Sequence, residues 1–159
     1  MVCDICDGLT HREAREKTLR TIDKYGWQCM IVEGDADNTA FGYTIGLTQQ
    51  QHPEILVTGR MHAETHALLS LLVHRVLHHN LTLVAGMGVA LRPRKVALAR
   101  IERPQDVLLV AADLYKGRLR GLQAIWADEQ GLFPWQQDVP DVLTQPLYGT
   151  PPVLQPKPD

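Results

Sequence analysis

The stretch AFGYTIGLT, residues 40–48, is followed after three glutamines by HPEILVT, residues 52–58. Aromatic and β-branched residues from Ala40 to Ile45 suit a strand. Gly46 then lets the chain leave the sheet, and Pro53 biases His52 to extended backbone before a second apolar strand, Glu54 to Thr58, closed by Gly59.

Working outward, Trp27 to Glu33 reads as a strand that forms a hairpin with 40–45 around Gly34-Asp35-Ala36-Asp37-Asn38. Ahead of it, Thr10-His11-Arg12-Glu13 has the form of a capping box, which predicts a helix to about Tyr25 with Gly26 as its left-handed stop. Ala14, Thr18, Ile22 and Tyr25 would form its buried stripe. After Gly59, residues from His62 to His79 read as a long helix that is apolar almost all round, as expected of a helix packed on several sides. Met87 to Leu91, Val96 to Ile101 and Leu122 to Ala127 are further strands, and Val107 to Tyr115 reads as strand into helix. The predicted fold is one α+β domain, residues 1–139. In it a mostly antiparallel sheet of five or six strands is packed by two main helices. Six of the ten prolines fall in 140–159, which predicts an extended tail.

A length of 159 residues, 45% of them hydrophobic, fits a single buried core. The net charge of -2 supplies no basic field for a phosphate backbone, so nucleic acid is not an expected partner. The longest apolar run, near Ala67 to Val73, is far shorter than the roughly 20 residues of a bilayer span, and Met1-Val2-Cys3-Asp4 has no signal-peptide character. A cytoplasmic protein with reduced thiols is expected. The long apolar helix would gain from a partner chain, which makes a homodimer plausible.

Four stretches could carry chemistry. Cys3-x-x-Cys6-Asp7 lies just ahead of a helix N-terminus, where thiol pKa falls; it suits either zinc or thiol redox exchange. His11 would be a third zinc ligand in a knuckle, with Cys29 as another donor brought by the fold. Glu16 is a poor fourth ligand, and a helix starting at Thr10 turns His11 and Glu16 to different azimuths. On the long helix, His62 with His66 and His74 with His78 stand one turn apart, although the four share no narrow face. In the opening stretch, Tyr43, Thr44, Thr48, His52 and Glu54 could form an acid/base pocket with His52 as base and Glu54 as its orienter. The alternative there is a buried polar network that fixes a hairpin and a proline turn. Finally, Trp126, Phe133 and Trp135 could line a groove or clamp the tail onto the core. Gly86-Met87-Gly88 and Gly117-Arg118-Leu119-Arg120-Gly121 lack the spacing of a phosphate-binding glycine loop.

Tyr25-Gly26-Trp27, the 41–48 run, His52-Pro53-Glu54, the leucine-rich helix, Ile125-Trp126-Ala127-Asp128, Phe133-Pro134-Trp135 and Gln145-Pro146 follow one another in a familiar order. Over about residues 3–148 the chain resembles the bacterial domain of unknown function family 4262. The resemblance implies a shared Cys3-x-x-Cys6-Asp7 start but no activity, and it does not extend to His11 or to His74 to His79. Trp126 and Asp128 correspond, while Ala127 stands where relatives have proline. The leading expectation is a small binding or interaction module with a zinc site at Cys3 and Cys6. The alternative is an enzyme, acting through His52 and Glu54 or through the two thiols.

Overall fold

The computed structural model describes residues 8, 10–92, 94–137, 145–149 and 151. Its first helix, α1, spans His11–Tyr25 and begins with the expected capping box: the Thr10 hydroxyl accepts from the Glu13 amide while the Glu13 carboxylate reaches back to Thr10. It ends at Gly26, which takes φ 87°. Strands β1 (Gln28–Val32), β2 (Phe41–Ile45) and β3 (Glu54–Thr58) follow, then α2 (His62–His78). The two-residue β4 (Gly88–Val89), β5 (Val96–Arg100), α3 (Leu109–Tyr115) and β6 (Gly121–Trp126) complete the order.

The strands form one six-stranded sheet in the order β1-β2-β3-β6-β5-β4. All neighbours are antiparallel except β3 and β6, whose parallel register places Glu54 beside Gly121 and Leu56 beside Gln123. Two three-stranded antiparallel halves therefore meet at one parallel seam, and the seam strands are the most apolar. Every residue of β3 and of β6 is buried, as expected where a strand is covered on both faces.

Side-chain alternation divides the core between those faces. On one, Ile55, Val57, Leu98, Leu122 and Ala124 pack against Leu68, Leu69, Leu72, Val73 and Val76 of α2. On the other, Tyr43, Ile45 and Leu56 meet Ile22 of α1 and Ala111 and Tyr115 of α3. An Arg15–Asp113 ion pair at 3.7 Å links α1 to α3.

Three expectations change. Helix α2 is not packed all round: it buries one face, while Ala63, Ala67 and Leu71 are exposed. The sheet covers only the side that faces it, and among the described residues nothing is laid on the other. Tyr25 does not join the α1 stripe and is 63% exposed, because the chain turns at Gly26 before its ring can reach the core. Residues 107 and 108 are a turn and not a strand. Pro104 opens a short 3₁₀ turn, and its carbonyl takes the Leu108 amide at 2.8 Å, which steers the fully buried Leu108 inward and starts α3 at once.

The expected C-terminal tail lies largely outside the described residues. The part described is clamped: Gln145 exchanges two hydrogen bonds with the Trp126 backbone, and the Pro146 carbonyl accepts from Thr58 and Gln123. Among the described residues, no helix is long and apolar enough to cross a membrane.

The joint between β2 and the following turn is a close backbone approach. Gly46 sits at φ 129°, and a Cβ there would lie 2.7 Å from the Gly26 carbonyl oxygen. Gly46→Ala is expected to destabilise the domain by about 2 kcal/mol or more in urea unfolding. Gly117→Ala, where a Cβ meets nothing within 4 Å, should be close to neutral.

Candidate functional site

The bend between β2 and β3 gathers two of the expected pocket residues, Thr44 and Thr48, around the carboxylate of a third, Glu54. Gly46 turns the chain straight into a single 3₁₀ turn, Leu47–Gln50, so that the amides of residues 46, 47 and 48 converge as a backbone nest. Glu54, the first residue of β3 and fully buried, fills it. Its Oε1 accepts from the Thr44 hydroxyl at 2.7 Å and the Leu47 amide at 3.2 Å. Its Oε2 accepts from the Thr48 hydroxyl at 2.5 Å, the Thr48 amide at 2.8 Å and the Gly46 amide at 3.3 Å. The Thr44 hydroxyl also accepts the Ile55 amide at 2.9 Å, which ties β2 to β3 through a side chain. Burial pushes the Glu54 carboxyl above its ordinary range, and the donors, Thr48 foremost, pull against that rise. Five donors occupy the two oxygens.

His52 is not part of that cluster. Two residues apart on extended chain would aim His52 and Glu54 alike, but Pro53 and the turn before it set the imidazole on a different errand. Its Nδ1–H donates to the Pro53 carbonyl at 2.7 Å, and its Nε2 accepts the Leu83 amide at 3.0 Å, which fixes the neutral Nδ1–H tautomer. Leu83 follows α2, so His52 anchors the loop after that helix to the start of β3. Tyr43 also serves the fold: its hydroxyl takes the Val110 amide at 3.0 Å and positions α3. Burial pushes the Tyr43 phenol up to about 12. This geometry matches the polar-network reading of the stretch and gives His52 no carboxylate to orient it.

A second arrangement lies on the α2 face beyond the edge strand. An open groove of about 560 Å³ runs between the end of α1, β1 and α2. Cys29, Ile31, Val73 and Leu77 line it together with Trp27 and four imidazoles, His62, His66, His74 and His78. His66 stacks on Trp27 with ring centroids 6.0 Å apart and receives Ser70 at 3.4 Å. At the far end, His74 lies 4.8 Å from His78 and 5.0 Å from His79, ring centre to ring centre. One-turn spacing on α2 was legible in the sequence; Trp27 as the opposite wall was not, because nothing local shows that β1 is an edge strand under α2. Cys29 is half-buried in this wall, and burial pushes its thiol up to about 11, so it is protonated at neutral pH and is a poor nucleophile.

Cys3 and Cys6 lie outside the described residues. His11 is the exposed first residue of α1. Among the described residues, no group of three or more His, Cys, Asp or Glu side chains is placed to hold a metal ion. The aromatic residues divide into two places. Phe133 and Trp135 stack at 4.9 Å, whereas Trp126 lies beneath the guanidiniums of Arg60 and Arg94, at 4.7 and 5.1 Å. Glu64 joins those two arginines by ion pairs of 2.6 Å each. Burial alone would raise the Glu64 carboxyl, but the hydrogen bonds from Arg60 and Arg94 outweigh it and hold the group below its ordinary range. The Trp126 indole N–H donates to the Thr58 carbonyl at 2.7 Å, so this cluster clamps the C-terminal ends of the parallel strands.

The family model described as Domain of unknown function (DUF4262) matches residues 21–140, which include all six strands and both walls of the groove. Neither the curated proteins nor the solved structures hold a match to the chain.

His52 makes stability depend on pH in a stated direction. Burial holds the imidazole below the ordinary histidine value, against the pull of the Pro53 carbonyl, and the Arg120 charge adds to the lowering. The unfolded chain therefore takes up this proton first as pH falls. The contribution is complete above about pH 6.5 and is lost as pH drops from there through the lower folded-state value. Urea unfolding at pH 8 and pH 5.5 should show the wild type losing more stability on acidification than His52→Gln. Equal losses would contradict this role.

Proposed function

Because the chain belongs to the DUF4262 family, a premise that brings no reaction or ligand with it, we propose a function from its own geometry. The domain is a binding module, and its ligand is a small organic molecule with a flat ring, held in the groove between α1, β1 and α2. The supporting observation is that the groove combines an apolar floor with stacking faces and hydrogen-bonding rims. About 560 Å³ lies within the usual size of a small-molecule cleft, and the wall formed by Trp27, Cys29, Ile31, Val73 and Leu77 supplies the apolar contact. Trp27, stacked on His66, brings aromatic surface to the groove, and His62, Ser70 and His74 add a few directional polar groups.

The polar cluster at the bend favours this reading by contrast. Every Glu54 and His52 side-chain heteroatom there is engaged by the protein itself, so general acid/base work at that point would require breaking contacts that hold the bend between β2 and β3 and the loop after α2. The groove makes no such demand. Cys29, protonated at neutral pH, contributes surface to it and not a reactive thiolate.

Titration with a panel of aromatic acids and amides, followed by NMR of the ¹⁵N-labelled chain, tests the proposal. Saturable shifts are expected at the Trp27 indole and at Cys29, His66 and Ser70. Ser70→Trp, which fills the middle of the groove from an incompletely buried position, should weaken any such binding by tenfold or more. A panel that shifts none of these resonances, or binding that Ser70→Trp leaves unchanged, would overturn it.

A further inference from the structure

A small hollow of about 200 Å³, sharing no lining residue with the groove, opens where the 3₁₀ turn after β2 meets the segment leading into β6. It is lined by Thr48, Gln51, His52, Arg118 and Arg120. Both arginines are aimed by backbone carbonyls of that turn: Arg120 Nη2 donates to Gln51 at 2.9 Å, and Arg118 Nη2 reaches Thr48 at 3.5 Å. A guanidinium carries five N–H groups, so one carbonyl leaves most of its donor capacity unused. Gln51 itself holds φ 59°, a left-handed conformation that a non-glycine residue adopts at some cost.

The charge around the hollow is one-sided. Arg12, Arg15, Arg60, Arg94 and Arg103 each have a carboxylate within ion-pair distance. Among the described residues, Arg118 and Arg120 have none, although they are two positions apart and share one concavity. The nearby Glu54 carboxylate is committed to its own five donors behind Thr48. His52 at the wall brings no negative charge to the pair. We propose that Arg118 and Arg120 form a phosphate-binding site, with Gln51 at its rim. Forked guanidiniums match the several oxygens of a phosphate, and two of them balance its double charge. The glycines of Gly117-Arg118-Leu119-Arg120-Gly121 are not a phosphate loop; the charge is carried by side chains. The hollow is roomier than one phosphate, which favours a phosphate monoester over the free ion.

The test is an NMR titration, at constant ionic strength, with inorganic phosphate, glycerol phosphate and acetate, read at the Arg118 and Arg120 Nε–H and Gln51 side-chain amide resonances. Saturable shifts with both phosphate probes and none with acetate are expected. Tighter binding of glycerol phosphate identifies a monoester site, and equal or tighter binding of the free ion a phosphate site; either supports the proposal. Arg118→Gln and Arg120→Gln should each weaken binding by about tenfold with an unchanged urea midpoint. The double Arg→Lys variant, which keeps the charge, should lose less. No saturable shift, equal response to acetate, or unchanged binding in folded glutamine variants would overturn it. Should a variant unfold, the wild-type titration alone decides.

Discussion

The Glu54 carboxylate is the point on which the joint between β2 and β3 depends. It enters a fully dry site, which is unfavourable for a charged or polar group unless its oxygens are satisfied, and five donors from residues 44–48 satisfy them. Those donors can converge only because Gly46 accepts a conformation that a side chain would strain. In return the carboxylate fixes the 3₁₀ turn, the Thr44 hydroxyl carries the tie on to the Ile55 amide, and the Glu54 amide itself bonds to Arg120 at the entry to β6. A carboxylate removed from this place would leave three buried amides and two hydroxyls without acceptors, a cost greater than the loss of the hydrogen bonds alone.

That constraint also separates scaffold from surface. The histidine beside the cluster is used in the same manner, between a proline carbonyl and the Leu83 amide, and Tyr43 holds the first turn of α3. The side chains of Glu54, His52 and Tyr43 thus all hydrogen-bond within the fold. What is left for a ligand lies at the periphery of the same scaffold: the imidazole-lined groove over the edge strand, and the two arginines that the 3₁₀ turn aims outward. Helix α2 connects these roles, with one face in the core and its histidine-bearing flank on the groove.

Much of the fold was legible because its signals are local. Alternation and turn residues marked all six strands, and Thr10-x-x-Glu13 with Gly26 marked both ends of α1. The departures have two physical origins, long-range packing and local turns. Whether Leu71 and Ala67 on α2 are covered depends on what lies across from them, which helical periodicity cannot report. Leu108 looks like strand in the sequence because its neighbours are apolar, although the Pro104 carbonyl four residues earlier claims its amide for a turn. At the candidate sites, residue types were readable and partners were not. Thr44, Thr48 and Glu54 could be seen to share one place, and the α2 histidines to share a helix. The Leu83 amide on His52 and the Trp27 wall opposite His66 required the chain to be folded.

Native-state amide hydrogen exchange at Gly46, Leu47 and Thr48 tests the central claim most directly. If the Glu54 carboxylate holds these amides as the keystone of the joint between β2 and β3, all three should exchange only through global unfolding. Their protection should then equal that of the Ile55 and Leu56 amides within β3 and should follow the overall stability as urea is added. Exchange of the three through a local opening, fast and insensitive to urea while β3 stays protected, would contradict the account.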